Sequence, residues 1–159
     1  MFVEYLGHGS ESFYEEIQTL FEWMELHRRN LFVDEFQVVT MRPWDNFFWW
    51  AEVSQLPTGS MVLPAAWPER GVPRPTQIEG SIRERKNVML NTGSSAATIY
   101  LAPDQVDFAN NVTVSVNGKS RARNIKPDVH VLLEDARRRG DRLRPFWAQV
   151  DVETGRRNR

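Results

Sequence analysis

From Glu35 onward the chain breaks into short runs of β-branched and aromatic residues, each stopped by turn formers before it can lengthen. Such runs occupy residues 35–41, 46–54, 77–85, 87–90, 97–102, 112–116, 119–125 and 146–152. Arg42-Pro43-Trp44-Asp45 separates the first two by composition alone. Residues 57–75 hold Pro57, Pro64, Pro68, Pro73 and Pro75 together with Gly59 and Gly71, and form a long irregular loop. Its apolar residues Met61, Val62, Leu63 and Trp67 are expected to pin it to the body. Asn117-Gly118 is the strongest hairpin signal, because both residue types tolerate the positive φ of a type I′ turn. About eight short strands at turn-punctuated spacing predict a mainly β domain, an immunoglobulin-like β-sandwich of about seven to eight strands.

Two helical patterns interrupt this texture. Phe13, Ile17, Leu20, Phe21 and Met24 recur at three- and four-residue steps, so a helix over 13–27 carries one apolar stripe. Ser12 and Glu15 have the spacing of a capping box, and Glu11, Glu15 and Glu16 face His27-Arg28-Arg29 across its length as the helix dipole favours. The stripe is expected to be buried against the sandwich or a second copy of the chain, since so short a helix is marginal alone in water. A shorter helix is expected over 128–139, with Val129, Leu132, Leu133 and Ala136 on one side and Gly140 as its stop. Before the first helix, residues 2–6 read as a strand entered midway, ending in the Gly7-His8-Gly9-Ser10 turn.

Composition narrows the function classes. The hydrophobic share is 41% and the aromatic share 11%, enough for a packed core rather than disorder. A net charge of -1 argues against a nucleic-acid partner, which demands a basic surplus. Arg137, Arg138, Arg139, Arg142 and Arg144, then Arg156, Arg157 and Arg159, make the last quarter basic; they read as solvated charge on a helix end and tail. Cysteine is absent, which excludes disulfides and thiolate zinc sites and leaves the compartment open. No apolar run approaches the roughly 18 residues of a membrane span, and the first residues lack the basic and apolar regions of a signal peptide.

Catalytic motifs are missing: the chain has no G-x-S-x-G, P-loop, G-x-G-x-x-G or H-E-x-x-H. His8, His27 and His130 are too far apart in sequence to suggest a metal site, and neither a metal nor a cofactor is expected. His8 is the single candidate for catalysis, because a histidine in a Gly-rich turn between strand and helix can project as a general base. A surface histidine is the plainer reading, since the turn offers no nucleophile. The cluster Trp44, Phe47, Phe48, Trp49 and Trp50 is the other candidate. As one strand, Phe47 and Trp49 would share a face and Phe48 and Trp50 the other, apolar on both sides. Core packing is one outcome; an exposed coplanar Trp49–Trp50 pair stacking on sugar rings is the other.

The stretch Val3-Glu4-Tyr5-Leu6-Gly7-His8-Gly9-Ser10-Glu11-Ser12-Phe13-Tyr14-Glu15-Glu16-Ile17 resembles the closing segment of an α/β-hydrolase, specifically the prolyl-oligopeptidase-like hydrolases and peptidases of planctomycete-type bacteria. Phe21-Glu22-Trp23-Met24 and His27-Arg28-Arg29 are similar to the end of that family's final helix. Thr40-Met41-Arg42-Pro43-Trp44-Asp45-Asn46 and Val114-Ser115-Val116-Asn117-Gly118-Lys119 are similar to the β-sandwich appended to such enzymes. The resemblance implies a last core strand, a histidine loop and a helix over 1–30, an accessory β-sandwich over 31–155 and a basic tail over 156–159. It also implies a catalytic hydrolase domain as partner; a homodimer is expected separately, from residues 2–6 pairing with the same segment of another copy. The family's loop reads Gly-Arg-Gly-His, which puts the triad histidine at Ser10 and an arginine at His8, so no catalytic role carries over residue by residue. The expectation is a chain without its own catalysis; the competing one is an independent carbohydrate- or peptide-binding module.

Overall fold

The computed structural model describes residues 14–27, 30, 32–60 and 74–154. The strand expected at 2–6, His8, the capping residue Ser12, most of the proline-rich loop and the basic tail lie outside them. The chain divides into two compact units, residues 1–30 and 31–159.

In the first unit, helix α1 runs from Tyr14 to Glu25. Ile17, Leu20, Phe21 and Met24 do recur along it, but they are 43, 46, 59 and 51% exposed. These exposures are those of the single chain, and Phe13, the first residue of the expected stripe, lies outside the described residues. The Trp23 and His27 rings lie tilted against each other with centroids 4.1 Å apart, and the His27 Nδ1 lies 2.7 Å from the Trp23 carbonyl oxygen.

The second unit is mainly β. Its described strands are β1 (Glu35–Thr40), β2 (Phe47–Phe48), β3 (Ala51–Ser54), β4 (Thr76–Arg83), β5 (Asn87–Thr92), β6 (Ala96–Leu101), β7 (Thr113–Val116), β8 (Lys119–Arg123) and β9 (Ala148–Glu153). A helix, α2, spans Val129–Arg139. The strands form two sheets, one ordered β1-β4-β5-β7-β8 and the other β2-β3-β6-β9, as a β-sandwich requires. All pairs are antiparallel except β5 with β7, where Val88 lies beside Val114 and Leu90 beside Val116. The chain leaves the five-stranded sheet after β5, forms β6 in the other, and returns to lay β7 parallel.

Alternation builds the core. Ile78 and Ile82 of β4, Val88 and Leu90 of β5, and Val114 and Val116 of β7 point inward. Ala51, Val53, Ala97, Ile99, Leu101 and Ala148 do so from the four-stranded sheet. Asn117 and Gly118 have φ of 50° and 74°, so the type I′ residues make the β7–β8 hairpin as expected. Asn117 also accepts from the Thr92 amide and donates to the Thr92 carbonyl, tying that hairpin to the end of β5.

The run expected as one strand over 46–54 is a hairpin instead. Phe48 pairs with Ala51, Phe47 pairs with Glu52, and Trp49-Trp50 forms the two-residue turn. Trp49 has φ of 51°, a region a bulky side chain rarely enters. The alternation that would separate Trp49 from Trp50 by sheet face therefore does not apply. Trp50 is fully buried, and its indole N–H donates to the Val33 carbonyl at 3.0 Å. Its ring meets Phe36 edge-on at 5.0 Å. Gly80 makes the space: a Cβ there would collide with the Phe36 ring and sit 2.7 Å from Trp50. The strand expected to continue to Arg85 ends at Arg83, because Glu84 and Arg85 both turn at φ of 52°.

Gly80→Ala must push two ring systems apart and is expected to destabilise the sandwich by about 1–3 kcal/mol, as overpacked cores do. Urea unfolding followed by tryptophan fluorescence measures it. An unchanged midpoint would show that the rings have room to move.

Candidate functional site

Helix α2 is set by its caps. Asp128 accepts from the His130 amide at 2.8 Å, and Gly140 takes the left-handed conformation with φ of 70°. Between them, the arginines expected to be solvated charge take three different roles. Arg137 is exposed and pairs with Glu134 one turn back. Arg139 grips Asp135 through Nε at 2.6 Å and Nη2 at 2.5 Å, and donates to the Arg144 carbonyl. Its guanidinium lies 4.5 Å above the Phe146 ring. Asp135 is 6% exposed and also accepts from the Phe146 backbone N–H at 2.8 Å. Its carboxylate therefore joins α2 to the segment entering β9.

Arg138 reaches sideways instead. Its Nη1 donates to the Tyr100 hydroxyl at 3.2 Å, and that hydroxyl donates to Glu52 Oε2 at 2.7 Å. Arg138 Nη2 stands 3.8 Å from the same carboxylate oxygen. Tyr100 comes from β6, Glu52 from β3 and Arg138 from α2, so three elements converge on one phenol. Asn46, Phe47, Glu52, Tyr100, Asp135, Arg138 and Arg139 line a small cleft of about 220 Å³.

Burial first, then the Glu52 carboxylate, pushes the Tyr100 pKa up to about 12 against the hydrogen bond from Arg138. The phenol keeps its proton at neutral pH and serves as a donor, neither base nor nucleophile. Neither a serine nor a histidine lines the cleft, so the arrangement positions groups and offers no proton relay of the kind acyl transfer uses. Among the described residues no group of three or more histidine, aspartate or glutamate side chains is placed to hold a metal.

The aromatic candidates separate. Trp50 is core, whereas Trp49 is 39% exposed and stacks on Phe36 with centroids 5.1 Å apart and planes 28° from parallel. They form no coplanar exposed pair. Trp44 is 55% exposed, and Phe47 lies tilted against Tyr100 at 5.6 Å. His8, the sequence candidate for catalysis, lies outside the described residues; His27 belongs to the first unit and the exposed His130 opens α2. Sequence reasoning missed the Glu52–Tyr100–Arg138 cluster. Its members lie 48 and 38 residues apart, beyond any local pattern. The i,i+4 spacing of Asp135 and Arg139 was a signal available for the other pair.

The chain matches no protein-family model, no curated protein and no solved structure.

The alkaline behaviour of Tyr100 follows from the direction of its shift. The unfolded phenol ionises near pH 10 and the folded one near 12, so above pH 10 the unfolded state gives up its proton first. Stability is full below pH 10 and falls between about 10 and 12, by on the order of 2 kcal/mol. Denaturant titrations at several alkaline pH values measure the loss, and Tyr100→Phe is expected to remove that part of it. The same slope in both proteins would place the alkaline loss elsewhere.

Proposed function

We propose that the chain is a non-catalytic C-terminal accessory domain of an α/β-hydrolase or peptidase, in which residues 31–155 pack on or gate the catalytic domain or mediate association. The observation that carries this reading is the order of segments. A stretch resembling the last strand, histidine loop and helix of a hydrolase core, residues 3–17, runs directly into a helix with an exposed apolar stripe and then into a sandwich. Ile17, Leu20, Phe21 and Met24 on a 12-residue helix gain stability only when covered, and a hydrolase sheet is the surface that such a helix covers.

The polar chemistry of the sandwich supports the same reading. Its best-connected cluster holds a protonated phenol between a carboxylate and a guanidinium, which braces α2 and leaves no activated nucleophile. The competing module that binds carbohydrate through Trp49 and Trp50 lacks its platform, because one ring is core and the other is stacked on Phe36.

Two measurements test the proposal. The genomic sequence preceding Phe2 is expected to encode a domain with G-x-S-x-G; a domain of another class there would sink it. The purified chain is expected to hydrolyse neither esters nor aminoacyl arylamides, since acyl transfer needs a nucleophile and an oxyanion hole. Turnover proportional to protein and lost in His8→Ala would overturn the non-catalytic part.

A further inference from the structure

A β-sandwich leaves strand edges, and each exposed edge is a row of unpaired amides and carbonyls that invites another strand. Among the described residues the two sheets have four edges, and three of them carry a deterrent. β8 has Lys119, Arg121 and Arg123 along five residues, and its pairing with β7 is broken by a register shift at Val114/Ser115. β2 is two residues long. β9 exposes Asp151 and Glu153. β1, the remaining edge, is Glu35-Phe36-Gln37-Val38-Val39-Thr40: six residues in unbroken register with β4, without lysine, proline or bulge. Its one charge, Glu35, is answered by Arg83 at 3.6 Å.

The direction of the edge groups follows from the ladder. Ile82 donates its amide to the Asp34 carbonyl at 2.7 Å, in register with Phe36↔Gly80 and Val38↔Ile78. Antiparallel pairs alternate between bonded and non-bonded, so Phe36, Val38 and Thr40 spend their backbone groups on β4. Those of Glu35, Gln37 and Val39 point away from the sheet. Val39, on the outward face, is 62% exposed.

We infer that β1 is a strand-pairing surface and that its occupant is β1 of a second copy of this chain, joining two five-stranded sheets into one. The sequence of the edge is self-complementary in one register. A two-fold axis at Gln37 sets Gln37 opposite Gln37 and Glu35 opposite Val39, which matches outward residues with outward residues. Phe36 then lies opposite Val38 on the inward side. All three free positions become bonded pairs, for about six backbone hydrogen bonds. The two Glu35 carboxylates stand about 14 Å apart along the strands, so like charges do not oppose each other. A net charge of -1 per chain adds little repulsion. A strand register shifted by one residue would set inward against outward side chains, and the edge has no alternative in-face register that uses all three positions.

Sedimentation velocity on the whole chain over a concentration series tests this. A reversible dimer is expected. Val39→Lys, which places a charge on an exposed edge side chain, and Gln37→Pro, which removes an amide that β4 does not use, are each expected to weaken the dimer by about tenfold or more. Thermal melts should show both variants folded; if Gln37→Pro unfolds, Val39→Lys carries the test alone. Arg121→Glu on the opposite edge should leave the dimer unchanged. Amide exchange at Gln37 and Val39 should slow as concentration rises. A chain that stays monomeric at its highest soluble concentration overturns the inference. So does a dimer that Val39→Lys leaves intact, which would be held by another surface.

Discussion

Trp50 is the residue on which the sandwich closes. Its ring touches Phe36 from the five-stranded sheet and occupies the space that Gly80 leaves open in β4. Its indole N–H ties down Val33 before β1, and its carbonyl accepts from Tyr100 in β6. One residue thus joins both sheets and the segment entering the domain. The cost is local: the preceding residue, Trp49, is held at φ of 51°, which disfavours a bulky residue by about 1–2 kcal/mol. Burying an indole of 150–250 Å² at about 25 cal/mol per Å² returns roughly 4–6 kcal/mol. Burial wins, and the turn is strained because the core demands it.

That balance explains where the sequence could be read and where it could not. Strands β4, β5 and β7 alternate cleanly because one face meets the core and the other water, so their inward residues stand out in the sequence. The Asn117-Gly118 turn and the Asp128 and Gly140 caps of α2 are local chemistry, and local chemistry is legible. The run 46–54 fails for the opposite reason. Asn46-Phe47-Phe48-Trp49-Trp50 has no glycine or proline to mark a reversal and is apolar at nearly every position, so neither turn type nor alternation has a signal. The reversal is imposed by Phe36 and Gly80, which lie 14 and 30 residues from Trp50 in sequence. Glu84 and Arg85 hide their turn in the same way. The parallel β5–β7 pairing is set by the detour through β6, which no local pattern reports.

The arginines of α2 show composition misleading in the other direction. Three in a row read as solvent-facing charge; Arg137 and Arg138 are exposed, and Arg139 is the one drawn in. Arg139 satisfies the buried Asp135 and covers Phe146, while Arg138 braces the phenol that spans β3 and β6. Removing Arg139 would leave the buried Asp135 carboxylate without its cation, which costs more than a surface ion pair contributes. The chemistry of this corner is thus spent on holding a helix to a sheet.

The surfaces are not equivalent, and the core decides which one is open. Trp50 enters the sandwich from the side bounded by β1 and by the β2–β3 hairpin, and Trp49 follows only as far as the face of Phe36. That hairpin is short at its open end, because the turn over residues 42–45, closed by the Asp45 N–H donating to the Arg42 carbonyl at 3.2 Å, lies just before Asn46, so β2 offers little edge. β1 meets no such limit. Its inward residues Phe36 and Val38 stay in unbroken register with β4, and Phe36 is held by the Trp50 ring. A bulge or lysine there would protect the edge, but a bulge within 36–38 would also move Phe36 off Trp50 and Gly80. The packing that the core requires therefore leaves β1 regular, and a regular edge is the kind that another strand can read.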